Sequence, residues 1–393
     1  MHDGRDHPPL NMACPAGEHP LRACELSCTR TRNPKPVPSE ETILSSDQSI
    51  CTDHMVVATW KHGVGWSKPE LKPYGPLSLM PTASCLHYAT ECFEGLKAYR
   101  GHDGRLRVFR IDRNVARLRT SAARISLPLF EPDEVKTLIL SLLSVDADRW
   151  LPSHRAGDFL YIRPTIIGTA PQLGLQAPKE AMLFIVLAYM PRLDEPPGGL
   201  RLYCSPEGAV RAWVGGFGYA KVGANYGPAV IIHQEAVARG YHQVLWLHGE
   251  NGECTEAGGC NFFVVWIRKD GKKELITAPL DDKTILDGVT RRSCLELAKE
   301  RLAPEIEITE RKFTVTEVME AAAQGRLLES FAAGTAYFIS AVSHIHCRGS
   351  DISVPMGESG HGAEVTTTLK RWLSEIMFGV EGHPWATVVP TSA

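Results

Sequence analysis

The spacing of apolar positions changes from strand-like to helix-like within the first half of the chain. From Met55 to Phe109, short apolar runs such as MVVATW and LRVF are separated by glycine and proline, which predicts strands joined by turns. The following segment, IDRNVARLRTSAARISLP, has apolar residues at three- and four-residue intervals, which predicts an amphipathic helix. A second helix at about residues 132–143 and the strands FLYIRPTIIG and AMLFIVLAYM complete a first α/β domain, predicted at residues 49–190.

A second domain is predicted beyond a linker. The stretch PRLDEPPGG at residues 191–199 combines stiff prolines with turn-forming glycines. A helix at about residues 228–239 then leads to the strands VLWLH and NFFVVWI, which flank a turn at Asn251-Gly252. Further helices are predicted at residues 289–302, 315–324 and 364–377. We assign residues 200–393 to this larger domain, so the predicted fold class is a two-domain α/β (α+β) protein.

Composition describes a globular chain with an atypical beginning. Of the 393 residues 44% are hydrophobic, but residues 1–48 are rich in proline, serine, cysteine and charge without periodicity, which predicts a largely disordered extension. The 42 lysines and arginines nearly balance the 45 aspartates and glutamates, so no strong field attracts nucleic acid or an acidic membrane. The longest apolar run, at residues 181–190, is about half the length of a membrane span. We expect neither nucleic-acid nor membrane binding.

The cysteines and the N-terminus bear on the compartment. Eleven cysteines are spread singly along the chain, which suits reduced thiols better than a disulfide framework. The N-terminus lacks the apolar stretch of a secretory signal, and its acidic residues are atypical of a transit peptide. We expect a cytoplasmic protein, with mitochondria as the alternative. His344 with His346, and Cys24 with Cys28, lack the partner pair of a closed zinc site, so no metal site is expected.

A lysine among glycines is the first candidate for chemistry. The stretch GGFGYAKVGANYG at residues 215–227 contains Lys221, and its glycines let backbone approach a ligand closely. A lysine there can form a Schiff base with an aldehyde, and Tyr226 could hydrogen-bond the same ligand. A phosphate-binding loop is disfavoured because Ala220 and Val222 break its pattern, and Lys221 itself breaks the dinucleotide-binding GxGxxG. The simpler alternative is a surface lysine in a turn.

A carboxylate in the predicted hairpin is the second candidate. Glu256 lies in CTEAGGCNFF, where it precedes two glycines and an apolar strand. Pyridoxal phosphate acts as an electron sink when its pyridine nitrogen is protonated, and an acidic partner keeps it so. The alternative is an ordinary carboxylate in a turn.

Two further segments could bind anions. In LDGVTRRS, Gly288 precedes a predicted helix whose first amides, at Val289 and Thr290, can bind a phosphate. An arginine of the first-domain helix, at 113, 117 or 124, could add charge-assisted bonds, or each could be a solvated helix residue. The turn AAGTA offers free amides and a hydroxyl to a carboxylate, or is an ordinary tight turn.

Together, these segments resemble the branched-chain amino-acid aminotransferases, which are fold type IV enzymes that depend on pyridoxal phosphate. The similarity is collinear from about residue 52 to the C-terminal helix. It runs through LHYATECFEGLKAYR, FLYIRP, RAWVGGFGYAKVGANYGP, QVLWLHGENGECTEAGGCNFFVVW, LDGVTRRS and FAAGTA. Similarity over so many segments in order is more specific than any single motif.

The resemblance implies a role for each candidate residue. Lys221 would form the Schiff base with pyridoxal phosphate and move the proton, Tyr226 would contact the phenolic oxygen, and Glu256 would pair with the pyridine nitrogen. The phosphate would be bound by Arg117, Gly288, Val289, Thr290 and Thr335. The substrate side would be formed by Tyr88, Phe93, Tyr161, Arg163, Gly259, Cys260, Thr335 and Ala336.

The resemblance also implies the reaction. The chain would transfer the amino group of L-leucine, L-isoleucine or L-valine to 2-oxoglutarate in a ping-pong cycle, giving branched 2-oxo acids and L-glutamate. Aromatic walls suit branched side chains, and Arg163 or Tyr161 could meet the second carboxylate of glutamate. Gly259-Cys260 stands where eukaryotic relatives usually have Thr-Met, so this wall is expected to be roomier. Family members are usually homodimers, and the loop around residues 173–175 resembles the part that reaches the neighbour.

Three alternatives stay open at the level of sequence. One is a fold type IV transaminase for D-amino acids or bulky amines, and another is a lyase that uses the same cofactor. A third, of a different class, is a non-catalytic pyridoxal-phosphate-binding or regulatory protein that works through the N-terminal extension. Retention of Lys221, Tyr226, Glu256 and Arg117 argues against the third.

Overall fold

Two β-sheets organise the protein. The computed structural model describes residues 17–190, 196–303, 305–336 and 338–390. The strands of the first sheet are β1 (Ser27–Cys28), β2 (Cys51–Lys61), β3 (Gly65–Trp66), β4 (Glu70–Pro73), β5 (Glu91–Phe93), β6 (Leu96–Arg100), β7 (Leu106–Phe109), β8 (Phe159–Gly168), β9 (Glu180–Ala188) and β19 (Ala386–Val388). Those of the second are β10 (Leu200–Cys204), β11 (Gln243–His248), β12 (Glu253–Ala257), β13 (Cys260–Ile267), β14 (Lys273–Thr277), β15 (Glu307–Glu310), β16 (Leu327–Gly334), β17 (Phe338–Cys347) and β18 (Ser350–Ser353).

Helices pack against both sheets. Within the described residues they are α1 (Glu40–Leu44), α2 (Ser84–Tyr88), α3 (Ile111–Arg124), α4 (Pro132–Trp150), α5 (Ala229–Ala238), α6 (Val289–Arg301), α7 (Val315–Ala323) and α8 (Glu364–Met377). Helices α3 and α4 contact each other and strands of the first sheet, whereas α5 to α8 contact strands of the second. None of these helices is both long and apolar enough to cross a membrane.

The two sheets differ in their closure. The first is open, with the order β1-β4-β2-β9-β8-β6-β7-β19, while β3 pairs with β2 and β5 with β8. The second has the order β12-β11-β10-β17-β16-β13-β14-β15, with β18 beside β17. Strand β12 also pairs with β13, so the six strands β12-β11-β10-β17-β16-β13 form a closed ring. A ring leaves fewer unpaired edges than an open sheet, so it is a stiff support for a site.

The predicted helices match the structure closely, with one exception. Helix α3 buries Ile111, Val115, Leu118 and Ala122, as its apolar spacing predicts. Helix α4 extends to Trp150, beyond the predicted end at residue 143. Its last turns contain charged residues, and one of them, Asp146, is 2% exposed. The end was missed because polar residues in that stretch hide the apolar periodicity.

The N-terminal segment corrects one prediction. The expectation of a largely disordered extension is wrong for residues 17–48, which contain β1, α1 and a short 3-10 turn. Leu21 is 2% exposed, and Ala23 and Ile43 are each 8% exposed, all within the first core. These buried positions recur at irregular intervals, so no period announces them. Residues 1–16 lie outside the described residues.

The strands can be compared with the predicted domain boundaries. Strand β10 begins at Leu200, the predicted start of the second domain. The last strand departs from the prediction, because β19 pairs antiparallel with β7 of the first sheet, Ala386 facing Phe109. The end of the predicted second domain therefore returns to the first sheet. Residues 191–195 of the predicted linker lie outside the described part of the chain.

Candidate active site

Most of the predicted site residues line one cavity between the two sheets. It has a volume of about 150 Å³. The predicted residues in its wall are Arg117, Tyr161, Lys221, Glu256, Gly259, Cys260, Gly288, Val289, Thr290, Thr335 and Ala336. These residues are far apart in the sequence and come from elements of both sheets. Their convergence supports the prediction that they act together.

The backbone of Lys221 is held by the first sheet and its helix. The Lys221 amide donates to Ser121 Oγ of α3 at 2.8 Å, and the Lys221 carbonyl accepts from the Phe93 amide of β5 at 3.1 Å. Its neighbours Ala220 and Val222 are fully buried in the first core. The lysine is therefore anchored on both sides. The alternative of a surface lysine in a flexible turn is wrong.

The side chain of Lys221 lies between two aromatic rings. Its Nζ donates to Tyr226 Oη at 3.0 Å. The same nitrogen is 4.9 Å from the centre of the Phe93 ring and 5.0 Å from that of Tyr226. The two rings lie 5.2 Å apart, centre to centre. A hydroxyl and two ring faces thus orient the amine.

Glu256 is buried at the other side of the cavity, on β12. It is 1% exposed, so the alternative of an ordinary turn carboxylate is wrong. Its Oε1 accepts from Asn261 Nδ2 at 3.2 Å and from the Leu286 amide at 3.1 Å, while Oε2 lies 2.8 Å from Arg211 Nη1. Burial raises the pKa of the Glu256 carboxyl, and the Arg211 charge and the Leu286 amide oppose that rise.

Arg117 is the arginine of α3 that faces the cavity. Its Nε and Nη2 donate to the two oxygens of Glu94, at 2.7 and 2.9 Å, and its Nη1 donates to the Asp287 carbonyl at 3.0 Å. Burial alone would lower the pKa of this guanidinium, but the charge of the fully buried Glu94 prevails and raises it. Arg113 pairs with its exposed neighbour Asp112 instead. Arg117 is thus a fixed, permanently charged group.

The N-terminus of α6 opens into the same cavity. Gly288 is the residue before its first turn, and Val289 and Thr290 begin the helix, as predicted. A Cβ atom at Gly288 would lie 2.0 Å from Asn261 Oδ1, so only glycine permits this approach. Free amides at a helix start attract anions. Arg117 and these amides could hold a phosphate from two sides.

Aromatic and cationic groups form the predicted substrate wall. Tyr161 is 8% exposed and faces Gly95, where a Cβ atom would lie 1.9 Å from its hydroxyl. The guanidinium of Arg163 lies 4.7 Å from the Phe93 ring centre and 5.2 Å from that of Tyr161. The Nε of Arg163 is buried and has no hydrogen-bond partner among the described residues. Phe93 and Arg163 do not line the cavity, but they contact two residues that do, Lys221 and Tyr161.

The opposite wall of the cavity is formed by residues beside two strands. Gly259 lies in the turn between β12 and β13, Cys260 begins β13, and Thr335 and Ala336 follow β16. Burial, with the charge of Glu256 next, raises the pKa of the Cys260 thiol to about 12, so this thiol is neutral at physiological pH. Lys97 Nζ donates to the Ala336 carbonyl at 3.1 Å, linking the first sheet to this turn.

Three predicted substrate residues, Tyr88, Phe93 and Arg163, do not line this cavity, and Tyr88 contacts a different loop. Tyr88 is 39% exposed, and its hydroxyl donates to the carbonyl of Leu173. Leu173 and Leu175 are 61% and 86% exposed in the loop expected to reach a neighbouring subunit. Within one chain, Tyr88 therefore belongs to that loop and does not line the Lys221 cavity.

We compared this cavity with other features of the described residues. A larger cavity, of about 490 Å³, lies against the N-terminal segment between Glu18, Trp60 and Trp66, but contains none of the predicted site residues. In the described ranges, no group of three or more His, Cys, Asp or Glu side chains could hold a metal ion. We therefore assign the chemistry to the smaller cavity.

Sequence reasoning missed four residues that hold the predicted ones. Glu94 fixes Arg117, Arg211 faces Glu256, Asn261 contacts both Glu256 and the Leu286 carbonyl, and Ser121 anchors Lys221. Glu94, Arg211 and Asn261 lie in segments that carry the family resemblance. A charged residue within an apolar, glycine-containing motif is the signal that could have identified Glu94 and Arg211.

Comparison with known proteins gives the same picture. The family described as amino-transferase class IV matches residues 91–336. The mitochondrial branched-chain-amino-acid aminotransferase of Schizosaccharomyces pombe is 42% identical over 94% of this chain and 86% of its own length. The cytosolic enzyme of that name from Saccharomyces cerevisiae is 44% identical over 94% of this chain and 98% of its own length.

A solved structure supports the fold independently of the curated sequences. It is that of the T.th. branched-chain amino acid aminotransferase complexed with N-(5'-phosphopyridoxyl)-L-glutamate. It aligns with a TM-score of 0.64 and 26% identity, covering 85% of this chain and 98% of its own. The predicted family, mixed α/β fold class and transaminase chemistry dependent on pyridoxal phosphate are confirmed. The chain belongs to the branched-chain-amino-acid aminotransferases of amino-transferase class IV.

Proposed function

We propose that this transaminase moves the amino group of L-leucine, L-isoleucine or L-valine to 2-oxoglutarate in a ping-pong cycle. The observation that carries the proposal is the position of Lys221, whose Nζ is 3.0 Å from Tyr226 Oη in the cavity that also contains Glu256. A lysine, a buried carboxylate and an anion site within one cavity match the needs of this chemistry.

The residues present fit pyridoxal phosphate. Glu256 Oε2 is buried and accepts no hydrogen bond among the described residues, so it can accept one from a protonated pyridine nitrogen. Arg117 and the amides of Val289 and Thr290 would hold the phosphate, with Thr335 beside them. Bound there, pyridoxal phosphate supplies an aldehyde for the amine and a ring that withdraws electrons.

Each side chain then has a specific task. Lys221 Nζ would hold the cofactor and move the proton at the α-carbon of the substrate, while Tyr226 Oη orients that nitrogen. Glu256 would keep the pyridine nitrogen protonated. Strand β12, which carries Glu256, is part of the closed ring of strands, and this ring keeps the carboxylate in place.

Both substrates can share the cavity. Tyr161 in the cavity wall offers aromatic surface to a branched side chain, with Phe93 on the other side of Arg163. Gly259 leaves space on the opposite wall, because no atom lies within 4 Å of a Cβ there. The Arg163 guanidinium lies between the Tyr161 and Phe93 rings, and its buried Nε has no hydrogen-bond partner within the described ranges, so it would meet the second carboxylate of glutamate. The turn at Thr335 and Ala336 would receive the α-carboxylate.

A panel of amino donors tests the proposed substrates. Initial rates with 2-oxoglutarate should be high for L-leucine, L-isoleucine and L-valine, and at least about a hundredfold lower for D-alanine and an aromatic amine. Activity confined to D-alanine or to the aromatic amine would overturn the proposal. Product formation without any 2-oxo acid acceptor would indicate a lyase instead.

We also propose that the chain works as a homodimer. Helix α5 exposes Val230, Ile231 and Val237 to more than half of their full extent, at 52%, 62% and 52%. Clustered apolar residues of this kind are typical of a surface that another protein covers. The loop with Leu173 and Leu175 is equally apolar and exposed. Tyr88, tied to that loop, would then serve the site of the partner subunit.

The compartment is a separate proposal. Relatives include cytosolic and mitochondrial forms, and we propose the cytoplasm. In support, residues 17–48 pack into the first core through Leu21 and Ile43, so a removable leader could not include them. Subcellular fractionation combined with N-terminal sequencing of the mature protein tests this. Recovery in mitochondria with a start before residue 17 would contradict it.

A further inference from the structure

Arg211 forms a buried ion pair with the carboxylate of the proposed cofactor site. Its Nη1 lies 2.8 Å from Glu256 Oε2, and the two side chains are 4% and 2% exposed. Neither Arg211 Nη2 nor Glu256 Oε2 has a hydrogen-bond partner of good geometry among the described residues. Taking two charges out of water costs free energy that their mutual attraction often does no more than offset. Stability alone is therefore a weak reason for this pair.

The loop before Lys221 has the shape that brings Arg211 to this place. A Cβ atom at Gly218 would lie 2.6 Å from Ala212 Cβ and 2.7 Å from the Thr284 carbonyl oxygen. Only glycine therefore lets the two parts of the loop pack together there. The Arg211 side chain runs past the same Thr284 carbonyl, at 3.5 Å, to reach Glu256. The same loop thus carries both Arg211 and Lys221.

We propose that Arg211 is a positioning residue that keeps the Glu256 carboxylate ionised and fixes the direction of its Oε2. Only the identity of the group that Oε2 would meet, a pyridine nitrogen, rests on the proposed function. Oε1 is already bound by Asn261 and the Leu286 amide, so Oε2 is the oxygen available to a ligand. A buried carboxylate without a counter-charge takes up a proton, and a neutral carboxyl cannot keep a pyridine nitrogen protonated.

The other groups that face Glu256 do not replace Arg211. Lys221 and Arg117 also lower the pKa of its carboxyl, but their effects are smaller than that of Arg211. Both are assigned to other parts of the cofactor. On β13, the Cys260 thiol is neutral, because burial and the Glu256 charge raise its pKa to about 12. Arg211 is thus the cation dedicated to this carboxylate.

The protonation of the cofactor tests the inference directly. The full-length enzyme is reconstituted with pyridoxal phosphate labelled with ¹⁵N in its ring, and the ring nitrogen is followed by NMR across pH. Wild type and Arg211→Lys should keep a protonated ring nitrogen at neutral pH. In Arg211→Gln the pKa of this nitrogen should be lower than in wild type, so that it loses its proton at a lower pH as the pH is raised. The protonated fraction then falls about tenfold for each pH unit beyond the midpoint, and kcat should fall with it.

A matched variant separates charge from folding. Arg100 is also buried, at 5% side-chain exposure, and pairs with Asp148 far from the cavity. Arg100→Gln should cost stability but leave the nitrogen signal of wild type. The inference is overturned if Arg211→Gln keeps the wild-type signal, or if Arg211→Lys changes it as much as Arg211→Gln does.

A second measurement needs neither the cofactor nor a folded Arg211→Gln. Infrared difference spectra of the cofactor-free wild type, with Glu256→Gln subtracted, report whether the Glu256 carboxyl is protonated. An ionised carboxylate at neutral pH supports the inference, and a protonated one overturns it. If wild type fails to bind the labelled cofactor, the proposed function fails instead, and the infrared result still tests whether Glu256 is ionised beside Arg211.

Discussion

At the scale of single residues, the cavity is supported by charges buried in pairs. Glu94 holds Arg117 through two hydrogen bonds and has no exposed side-chain surface. Arg211 stands in the same relation to Glu256. Such pairs contribute little net stability, but removing one partner leaves an uncompensated charge. Variants that remove one or both partners can therefore separate folding from ligand binding.

Arg117→Met should lower the free energy of unfolding of the cofactor-free protein by about 3–5 kcal/mol, because Glu94 then stays buried without a partner. Adding Glu94→Gln should return most of this stability. The double variant should nevertheless bind pyridoxal phosphate more weakly than wild type, because it lacks the Arg117 guanidinium that would bind the phosphate. Urea unfolding and equilibrium dialysis measure the two quantities.

Arg113→Ala on the same helix is the control for this pair of variants. Its side chain is 47% exposed, so unfolding should change by less than about 0.5 kcal/mol and cofactor affinity should not change. Wild-type cofactor affinity in the Arg117→Met/Glu94→Gln protein would contradict the phosphate role of Arg117.

Lys221, Tyr226, Glu256 and Arg117 could be singled out from the sequence, and they do converge. Their individual roles stay predictions. Glu94 and Arg211 were not identified, because a charged residue in a sequence is usually at the surface, and only their place within apolar, glycine-containing motifs indicates otherwise. Tyr88 was assigned to the site by resemblance, and a single chain does not place it there.

At the scale of elements, periodicity decided what could be predicted. Helices α3 and α6 were predicted because their apolar residues repeat with the helical period. Strand β12 was not separated from the turn at Asn251-Gly252, because five residues are too short for a reliable alternation. The segment at residues 17–48 was missed for a similar reason, since its buried residues are few and irregularly spaced.

Leu21→Ala should lower the free energy of unfolding by about 2–5 kcal/mol, because it removes a side chain that is 2% exposed in the first core. Leu44→Ala is the matched control from the same segment. Its side chain is 64% exposed, and the change should be below about 0.5 kcal/mol. Equal, negligible effects in urea unfolding would mean that residues 17–48 do not pack as described.

Gly288→Ala should weaken pyridoxal phosphate binding and lower stability by about 1–3 kcal/mol, because the new Cβ would lie 2.0 Å from Asn261 Oδ1. Asn261 would have to move, and with it the start of α6 and one partner of Glu256. Gly382→Ala, where nothing lies within 4 Å, should change neither property. Cofactor titration of both variants decides whether the tight approach at α6 matters.

At the scale of the whole molecule, the loop with Lys221 connects the two sheets. It lies between β10 and β11 of the second sheet in sequence, yet the Lys221 backbone forms hydrogen bonds with β5 of the first sheet and with α3. Strand β19 adds a second connection by returning to β7. Fold class and family could be predicted from the sequence because the motifs occur in order along the chain. The return of β19 could not, because three residues carry no distinctive pattern.

The homodimer proposal predicts a mass of twice the 43.2 kDa chain in light scattering after size exclusion. Ile231→Glu should shift the protein toward the monomer, because it puts a charge on the apolar surface of α5, where Ile231 is 62% exposed. Val380→Glu, at a position 66% exposed outside that surface, should leave the mass unchanged. A monomeric wild type would refute the dimer.

The first half of the reaction tests the central claim, the role of Lys221, most directly. Wild-type protein loaded with pyridoxal phosphate and mixed with L-leucine alone should change its visible absorbance and release about one equivalent of 2-oxo acid per chain. Lys221→Ala should bind the cofactor but show neither change at a comparable rate. A wild type that does not respond to L-leucine, or a Lys221→Ala protein that responds as fast as wild type, would contradict the account.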